Sequence, residues 1–123
     1  MSVVTLVSGG LDSSLVALLA KEEGLEQFPL FVDYGQRARD KELDACRRVL
    51  ARLDLPAAEV AGLGGFGSLI RSGLTDPTLR VLEDAFTPGR NMLFLLVAAS
   101  YAFQRDADAV SIGLLHEHAS LFS

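Results

Sequence analysis

The sequence predicts an α/β protein built on an open, doubly wound parallel sheet. Short apolar, β-branched runs alternate with segments whose apolar residues recur at helical spacing, in the order β-α-β-α-β-loop-α-β. The runs lack polar alternation, which is typical of strands buried on both faces. Right-handed crossovers then place helices on both sides of the sheet. The expected strands are 3–7, 28–32, 57–60 and 109–113, and the expected helices are 13–21, 38–53 and 91–104.

The helices are justified by apolar spacing and by the residues that end them. Gly24 is a plausible stop for the first helix, and Pro56 closes the second, whose apolar residues form one stripe. The helix at 91–104 is apolar almost all round, so we expect it to be buried, with a subunit interface as one place for it. The segment 61–77 is rich in glycine and is predicted to be an irregular loop.

Composition excludes several classes of protein. The chain has 123 residues, which fits one domain, and half of them are hydrophobic, which excludes intrinsic disorder. Eleven basic and 16 acidic residues give a net charge of −5, opposite to the excess of a general nucleic-acid binder. The single cysteine, Cys46, excludes an intramolecular disulfide and a multi-cysteine zinc site. With no secretory signal and no long apolar run, we expect a soluble, cytoplasmic protein that binds neither nucleic acid nor a membrane.

The most informative segment is the loop Ser8–Ser14, which joins the first strand to the first helix. Its glycines let the backbone turn sharply and approach a ligand. The helix that follows presents free N–H groups suited to a phosphate, and Ser8, Ser13 and Ser14 can add hydroxyl donors. Asp12 fits a helix N-cap, a magnesium contact or both. An ordinary strand-to-helix turn with a cap is the alternative.

Two other segments contain candidate ligand-binding residues. One lies at the carboxyl edge of the predicted sheet, and the other begins a helix. Asp33 and Gln36 follow the second strand, where either can hydrogen-bond a base or ribose, and Tyr34 can stack; a simple turn is the alternative. Arg90 begins a helix, where a cation is disfavoured unless an anion accompanies it. We favour a phosphate or carboxylate partner over a surface ion pair with Glu83 or Asp84. Asn91 is a natural N-cap.

Three motifs together resemble a known family. Ser8-Gly9-Gly10-Leu11-Asp12-Ser13 matches the Ser-Gly-Gly-x-Asp-Ser signature of the PP-loop ATP pyrophosphatases, which cleave ATP between its α- and β-phosphates. Asp33-Tyr34-Gly35-Gln36 and Pro88-Gly89-Arg90-Asn91 look like motifs of the 7-cyano-7-deazaguanine synthase family within that group. The motifs occur in the expected order, and the resemblance covers nearly the whole chain.

The resemblance implies a fold and an activity. The fold would be the three-layer α/β/α, adenine nucleotide alpha hydrolase-like PP-loop fold, with residues 1–123 as a single nucleotide-binding domain that lacks the family's C-terminal zinc region. The activity would be an ATP-dependent carbon–nitrogen ligase that converts 7-carboxy-7-deazaguanine and ammonia to 7-cyano-7-deazaguanine in queuosine biosynthesis. ATP and Mg²⁺ are the implied cofactors and a homodimer is the implied assembly. The family's zinc is not carried over, since Cys46 is the only cysteine.

Site residues are carried over by position. The catalytic candidates are Asp12 and Arg90. The expected ATP-binding residues are Val7, Ser8, Gly9, Gly10, Leu11, Asp12, Ser13, Ser14, Val32 and Asp33. The expected substrate-binding residues are Tyr34, Gln36, Arg90, Asn91, Gly113 and Glu117.

Other interpretations remain open beside this one. The divergent segment around His116–Ser120 can select a different acceptor, and a non-catalytic ATP-binding module is a third hypothesis. His116 and His118 are interpreted as solvated rather than as metal ligands. The glycine pattern of 62–67 matches a dinucleotide fingerprint, but we interpret it as a chance match in a flexible loop. The basic residues of 37–52 are interpreted as a solvated helix face.

Overall fold

The described elements follow the order β1-α1-β2-α2-β3-α3-α4-β4. A computed structural model describes residues 1–8, 10–70 and 89–113, with the backbone alone at residues 11 and 12. The strands are β1 (Ser2–Leu6), β2 (Glu26–Asp33), β3 (Glu59–Gly62) and β4 (Ala109–Ser111). The helices are α1 (Leu11–Glu22), α2 (Arg39–Arg52), α3 (Gly64–Leu69) and α4 (Arg90–Arg105).

The sheet is parallel and doubly wound, as predicted. Its strand order is β3-β2-β1-β4, with Val4 of β1 opposite Phe28 of β2 on one side and Val110 of β4 on the other. The chain first moves from β1 outward to β3 and then returns across the sheet to β4. The order therefore reverses between β1 and β4, and ligands of such sheets bind beyond the strand ends at this position.

Each face of the sheet packs against its own helices. On one face Val4, Leu30 and Val32 pack with Ala98 and Ala102 of α4. On the other face Val7 and Phe31 pack against the stripe of α2 formed by Leu43, Cys46 and Leu50. These two clusters confirm that strands apolar throughout are covered on both sides.

A buried polar pair ties α1 to the middle of the sheet. The Thr5 hydroxyl donates to Gln27 Oε1 at 2.7 Å, and Gln27 Nε2 donates to the carbonyl of Ala17 in α1 at 3.0 Å. Both side chains are buried, and these bonds satisfy the polar atoms that burial would otherwise penalise. The position of α1, and with it the loop that precedes α1, is thereby fixed against β1 and β2.

One expectation about elements was wrong. The segment predicted as an irregular loop contains α3, in which Gly67 packs closely against the turn after β2. The helix α4 packs one face against the sheet. Its other face exposes apolar side chains, among them Leu96 at 67% and Phe103 at 87%. The apolar residues of α4 therefore account for its packing on the sheet, but the described residues leave its outer side uncovered. In the described part of the chain, no helix combines the length and apolar character needed to cross a bilayer.

Candidate functional site

The loop after β1 is closed by the hydroxyl of Ser13. Ser13 Oγ accepts a hydrogen bond from the backbone N–H of Ser8 at 3.1 Å, lies 3.3 Å from Ser8 Oγ, and donates to the carbonyl of Gly10 at 3.3 Å. Ser13 is buried, whereas Ser14 is partly exposed and donates to the same carbonyl at 2.7 Å. These hydroxyls shape the loop, because the described contacts of both join them to the loop itself.

The helix after the loop begins without a side-chain cap. Gly10 is the N-cap of α1, in extended conformation, and Asp12 is the second residue of the helix. The expectation that Asp12 is the N-cap was therefore wrong. A capping side chain would occupy N–H groups of the first turn, so its absence at Gly10 suits an external acceptor such as a phosphate oxygen. Gly9 lies outside the described residues.

The turn after β2 is held together by Asp33. Its Oδ1 accepts a hydrogen bond from the Gly35 N–H at 3.0 Å, and its Oδ2 pairs with Arg39 Nε at 2.5 Å. Gly35 has a positive φ of 86°, which glycine adopts without steric cost. Arg39 is 42% exposed, as expected of a solvated arginine, and also forms this ion pair. Val32, the ATP-binding candidate before Asp33, is buried in the core.

Tyr34 is buried rather than open for stacking on a ligand. Its ring is 4% exposed and packs against Phe94 of α4, with ring centroids 5.5 Å apart, and edge-on against Phe66 of α3. In the described chain this ring packs on α3 and α4, which cover its face of the sheet, and substrate binding by Tyr34 stays a prediction. Burial raises the pKa of its hydroxyl, while the charge and hydrogen bond of Arg90 act in the opposite direction.

Gln36 is buried to nearly the same extent as Tyr34. It is 6% exposed, its Oε1 accepts a hydrogen bond from the Tyr34 N–H at 2.9 Å, and its Nε2 donates to the Val32 carbonyl at 3.2 Å. The same Nε2 lies 3.2 Å from Oε1 of Glu42 in the first turn of α2. Gln36 therefore shapes the turn from inside, and direct contact with a base or ribose stays a prediction.

Arg90 lies where α4 begins. The N-cap is Gly89, in the left-handed region at φ 75°, so the expectation that Asn91 caps this helix was wrong. The positive charge of Arg90 acts to lower the pKa of the Tyr34 hydroxyl, which indicates that the guanidinium lies near the turn after β2. Its Nε is buried and has no hydrogen-bond partner among the residues that the structure describes. A buried donor without an acceptor is costly, and a ligand oxygen would remove that cost.

Glu42 is the residue of this site that sequence reasoning missed. Burial raises the pKa of its carboxyl, while the hydrogen bond from Gln36 and the positive charge of Arg90 lower it. An acidic residue in the first turn of a helix is ordinary, because it favours the helix dipole, so nothing in the sequence singled out Glu42. Its neighbours Gln36 and Arg90 come from segments far apart in the chain.

The remaining candidates divide between described and undescribed positions. Gly113 follows β4, at the same sheet edge as the loop after β1. Glu117, His116 and His118 lie outside the described residues, as do Glu83 and Asp84. Among residues 1–8, 10–70 and 89–113, no three His, Cys, Asp or Glu side chains converge in a way that could hold a metal ion.

Comparisons with known proteins identify one family. A family model described as queuosine biosynthesis protein QueC matches residues 2–123. The 7-cyano-7-deazaguanine synthase of Sulfurovum sp. (strain NBC37-1) is 38% identical over 125 residues, covering 95% of this chain and 56% of the relative. Proteins of the same name from Methanosphaerula palustris and Acetivibrio thermocellus are 37% and 38% identical over 93% and 90% of this chain, and over 56% and 52% of their own length. The chain thus spans about half the length of these curated relatives.

Proposed function

The chain belongs to the queuosine biosynthesis protein QueC family, and from that premise we propose that it is the nucleotide-binding part of an ATP-dependent carbon–nitrogen ligase. The proposed reaction converts 7-carboxy-7-deazaguanine, ammonia and ATP to 7-cyano-7-deazaguanine, the reaction named for its relatives. The observation that carries the proposal is the Ser13-closed loop directly before an uncapped helix at the carboxyl end of β1.

The proposed chemistry begins with adenylation. An oxygen of the substrate carboxylate attacks the α-phosphorus of ATP, the bond to the bridging oxygen breaks, and pyrophosphate leaves. Ammonia then attacks the acyl carbon and AMP departs, which gives an amide. The amide oxygen then attacks the α-phosphorus of a second ATP, a second pyrophosphate leaves, and loss of AMP together with both amide N–H protons gives the nitrile. No protein nucleophile is required, so catalysis is positioning and electrostatic stabilisation of the leaving group.

Residues of the loop would receive the pyrophosphate. The first-turn N–H groups of α1 and the backbone N–H of Gly10 supply donors, and the partial positive charge of the helix end favours the anion. Because Ser13 is buried and bonded at both ends of the loop, we propose that it keeps these donors aligned before ATP arrives. Asp12, in the same first turn, is proposed to be essential for turnover.

Arg90 would receive the anionic reacting group. Its buried Nε donor requires an acceptor, and an oxygen of the substrate carboxylate or of the α-phosphate supplies one. Tyr34, which is buried on the core side, feels the positive charge of Arg90, and that charge acts to lower the pKa of its hydroxyl. Asn91 and Gly113 stay substrate-binding candidates by their place at the same sheet edge.

Magnesium stays part of the proposal with Asp12 as its candidate ligand, because Mg²⁺ bound with a nucleotide takes only one or two carboxylates beside phosphate oxygens and water. Asp33, the carboxylate nearest the end of β2, is occupied by Arg39 and Gly35, and no three potential ligands converge in the described residues. No step of the proposed chemistry is therefore assigned to a metal ion.

The assembly and location are part of the same proposal. We propose that two copies associate as a homodimer through the exposed apolar face of α4, and that the protein acts in the cytoplasm on a small molecule. The exposed Leu96 and Phe103 support this, because apolar side chains gathered on one helix face are typical of a contact surface.

Turnover with defined substrates tests the proposal. The full-length protein mixed with ATP, ammonia and 7-carboxy-7-deazaguanine should form AMP and pyrophosphate in proportion to the acid consumed. Asp12→Ala should abolish this formation. Release of ADP instead, or ATP binding with no turnover under any of these conditions, would reject the ligase and leave a nucleotide-binding module.

A further inference from the structure

We propose that Gln27 is a positioning residue for the phosphate-binding loop, an inference that rests on the proposed function of that loop. Gln27 lies in β2 and Thr5 lies in β1, the two central strands of the sheet. Their side chains connect these strands to Ala17 in the middle of α1. This buried connection sets where α1 lies along the sheet, and with it where the loop Ser8–Ser14 meets a nucleotide.

The orientation of the Gln27 amide is determined by its two partners. The carbonyl of Ala17 can only accept a hydrogen bond, so the amide nitrogen faces α1, with Nε2 at 3.0 Å from that carbonyl. The amide oxygen then faces Thr5, whose hydroxyl donates to it at 2.7 Å. Thr5 is 0% and Gln27 is 3% exposed, so bulk water does not compete for either bond. The amide therefore holds one orientation between the sheet and α1.

The apolar contacts of α1 do little to fix its position along the sheet. The buried side chains described for this helix are small and lie on one stripe, at Ser13, Ala17 and Ala20, whereas Leu15 and Leu19 are exposed. Small side chains interdigitate little with the opposing surface, so ridges and grooves hold such a helix weakly against sliding. A hydrogen bond is directional, so the Gln27 bond resists a shift of α1 by even one residue, about 1.5 Å.

One turn of helix connects this bond to the loop. Ala17 follows Ser13 by four residues, so the two side chains lie on the same face of α1. Ser13 Oγ accepts from the Ser8 N–H at 3.1 Å and donates to the Gly10 carbonyl at 3.3 Å. Hydrogen bonds thus form a closed path from β1 through Gln27 to α1, and from Ser13 back to the residues that follow β1. A displacement of α1 at Ala17 would therefore move the first-turn N–H groups as well.

Stability alone does not account for the polar pair. Exchanging both side chains for apolar ones of similar shape leaves no unsatisfied polar atom in the pair, and such exchanges are often neutral or stabilising. The Ala17 carbonyl would keep an acceptor role within α1, because a helix carbonyl also accepts from the N–H four residues later. Apolar side chains cannot supply a bond of fixed direction between the sheet and α1. A phosphate-binding loop needs that property, because its donors must be held in place before the ligand arrives.

The test removes the polar pair and uses a conservative control at one of its two positions. The double variant Thr5→Val with Gln27→Met removes the hydroxyl and the amide while nearly keeping both shapes. Thr5→Ser removes a methyl group instead and keeps the hydroxyl that donates to Gln27. In the full-length protein we measure the Kd for ATP by calorimetry, KM for ATP and for the acid, and the thermal midpoint.

Hydrogen exchange of two adjacent backbone N–H groups, measured by NMR, reports on the loop directly. The Ser8 N–H donates to Ser13 across the loop, whereas the Val7 N–H donates to the Leu30 carbonyl at 2.9 Å in the sheet. Opening of the loop exposes the first group and not the second, so the ratio of their exchange rates measures how firmly the loop is closed.

We expect the double variant to weaken ATP binding and to raise KM for ATP at least tenfold, with KM for the acid within twofold. Exchange at Ser8 should accelerate at least tenfold relative to exchange at Val7, at an unchanged or higher thermal midpoint. Thr5→Ser should stay within twofold of wild type in ATP binding and in relative exchange, although its lost methyl group lowers the midpoint.

Unchanged ATP binding or unchanged relative exchange in the double variant would overturn the inference. An equal loss of ATP binding in Thr5→Ser would also overturn it, because packing and not the amide would then position α1. If the wild-type protein binds no ATP, the proposed function fails, yet exchange at Ser8 still decides whether Gln27 holds the loop. If the wild type binds ATP and exchange at Ser8 is the same in the double variant, the inference fails while the loop remains the nucleotide site.

Discussion

At the scale of single residues, the site contains two groups that burial disfavours. The Nε of Arg90 is buried with no acceptor in the described part of the chain, and burial raises the pKa of the Glu42 carboxyl. Burial of either group would cost less free energy if the group were neutral and had all its hydrogen-bond partners. Groups of this kind cluster at functional sites, because binding and catalysis need charges that water would otherwise screen.

The first prediction concerns Glu42 and pH. Its folded-state pKa lies above the ordinary value of 4.5, so the folded state binds this proton more tightly than the unfolded state. The stabilisation from protonation is complete below that ordinary value and is lost as pH rises through the raised pKa. Glu42→Gln should therefore be more stable than wild type near neutral pH, by on the order of 1 kcal/mol. This advantage should shrink as the pH falls.

Urea unfolding at several pH values from neutral to acidic measures this difference. The groups facing Glu42 are Arg90 from α4, Tyr34 from the turn after β2 and the uncharged Gln36, so no other described carboxylate is expected to mimic the trend. Asp44→Asn should show no comparable trend. A Gln variant less stable than wild type at neutral pH would contradict the assignment of burial as the dominant influence.

At the scale of elements, α3 explains the glycines that the sequence left without a role. A Cβ on Gly67 would lie 2.4 Å from the Tyr34 carbonyl and 3.0 Å from the Cα of Gly35. The backbone N–H of Leu63 also donates to the Asp33 carbonyl at 2.6 Å. A short glycine-rich helix has little intrinsic stability, so packing against the turn after β2 selects it. The same contacts allow α3 to stabilise the conformation of the turn after β2.

The second prediction is that Gly67→Ala destabilises the protein while Gly65→Ala does not. At Gly67 the new methyl group would meet backbone atoms that cannot rotate away, at a cost of about 2 kcal/mol. Nothing lies within 4 Å of a Cβ at Gly65 of the same helix, where alanine should be neutral or stabilise by up to about 1 kcal/mol.

Denaturant unfolding of both variants measures the difference. Because Gly67 contacts the Tyr34–Gly35 backbone, the Ala variant should also weaken binding of the acid more than Gly65→Ala does. Equal stability of the two variants would show that α3 does not pack as closely on the turn as its glycines indicate.

At the scale of the whole molecule, the sequence predicted the strands and the loop after β1, because these depend on the local pattern of residues. The apolar runs predicted all four strands within a few residues, and the serine–glycine segment predicted a loop where the structure has one. It did not predict that Tyr34 faces the core, because that depends on which side of the sheet α3 and α4 cover. It missed Glu42 because its neighbours Gln36 and Arg90 meet only after the sheet has folded.

The last prediction concerns the oligomeric state, because α4 exposes apolar side chains on its outer side. Met92, Leu95, Leu96 and Phe103 share the exposed side of this helix, while Ala98 and Ala102 face the sheet. If a second copy covers that side, Leu96→Glu places a charge in the contact and should weaken the dimer at least tenfold, since a buried leucine contributes roughly 2 kcal/mol. Gln104→Glu adds the same charge to exposed helix surface outside the stripe and should leave the dimer intact. Sedimentation velocity over a range of concentrations measures both, and a wild-type protein that stays monomeric throughout would contradict the homodimer.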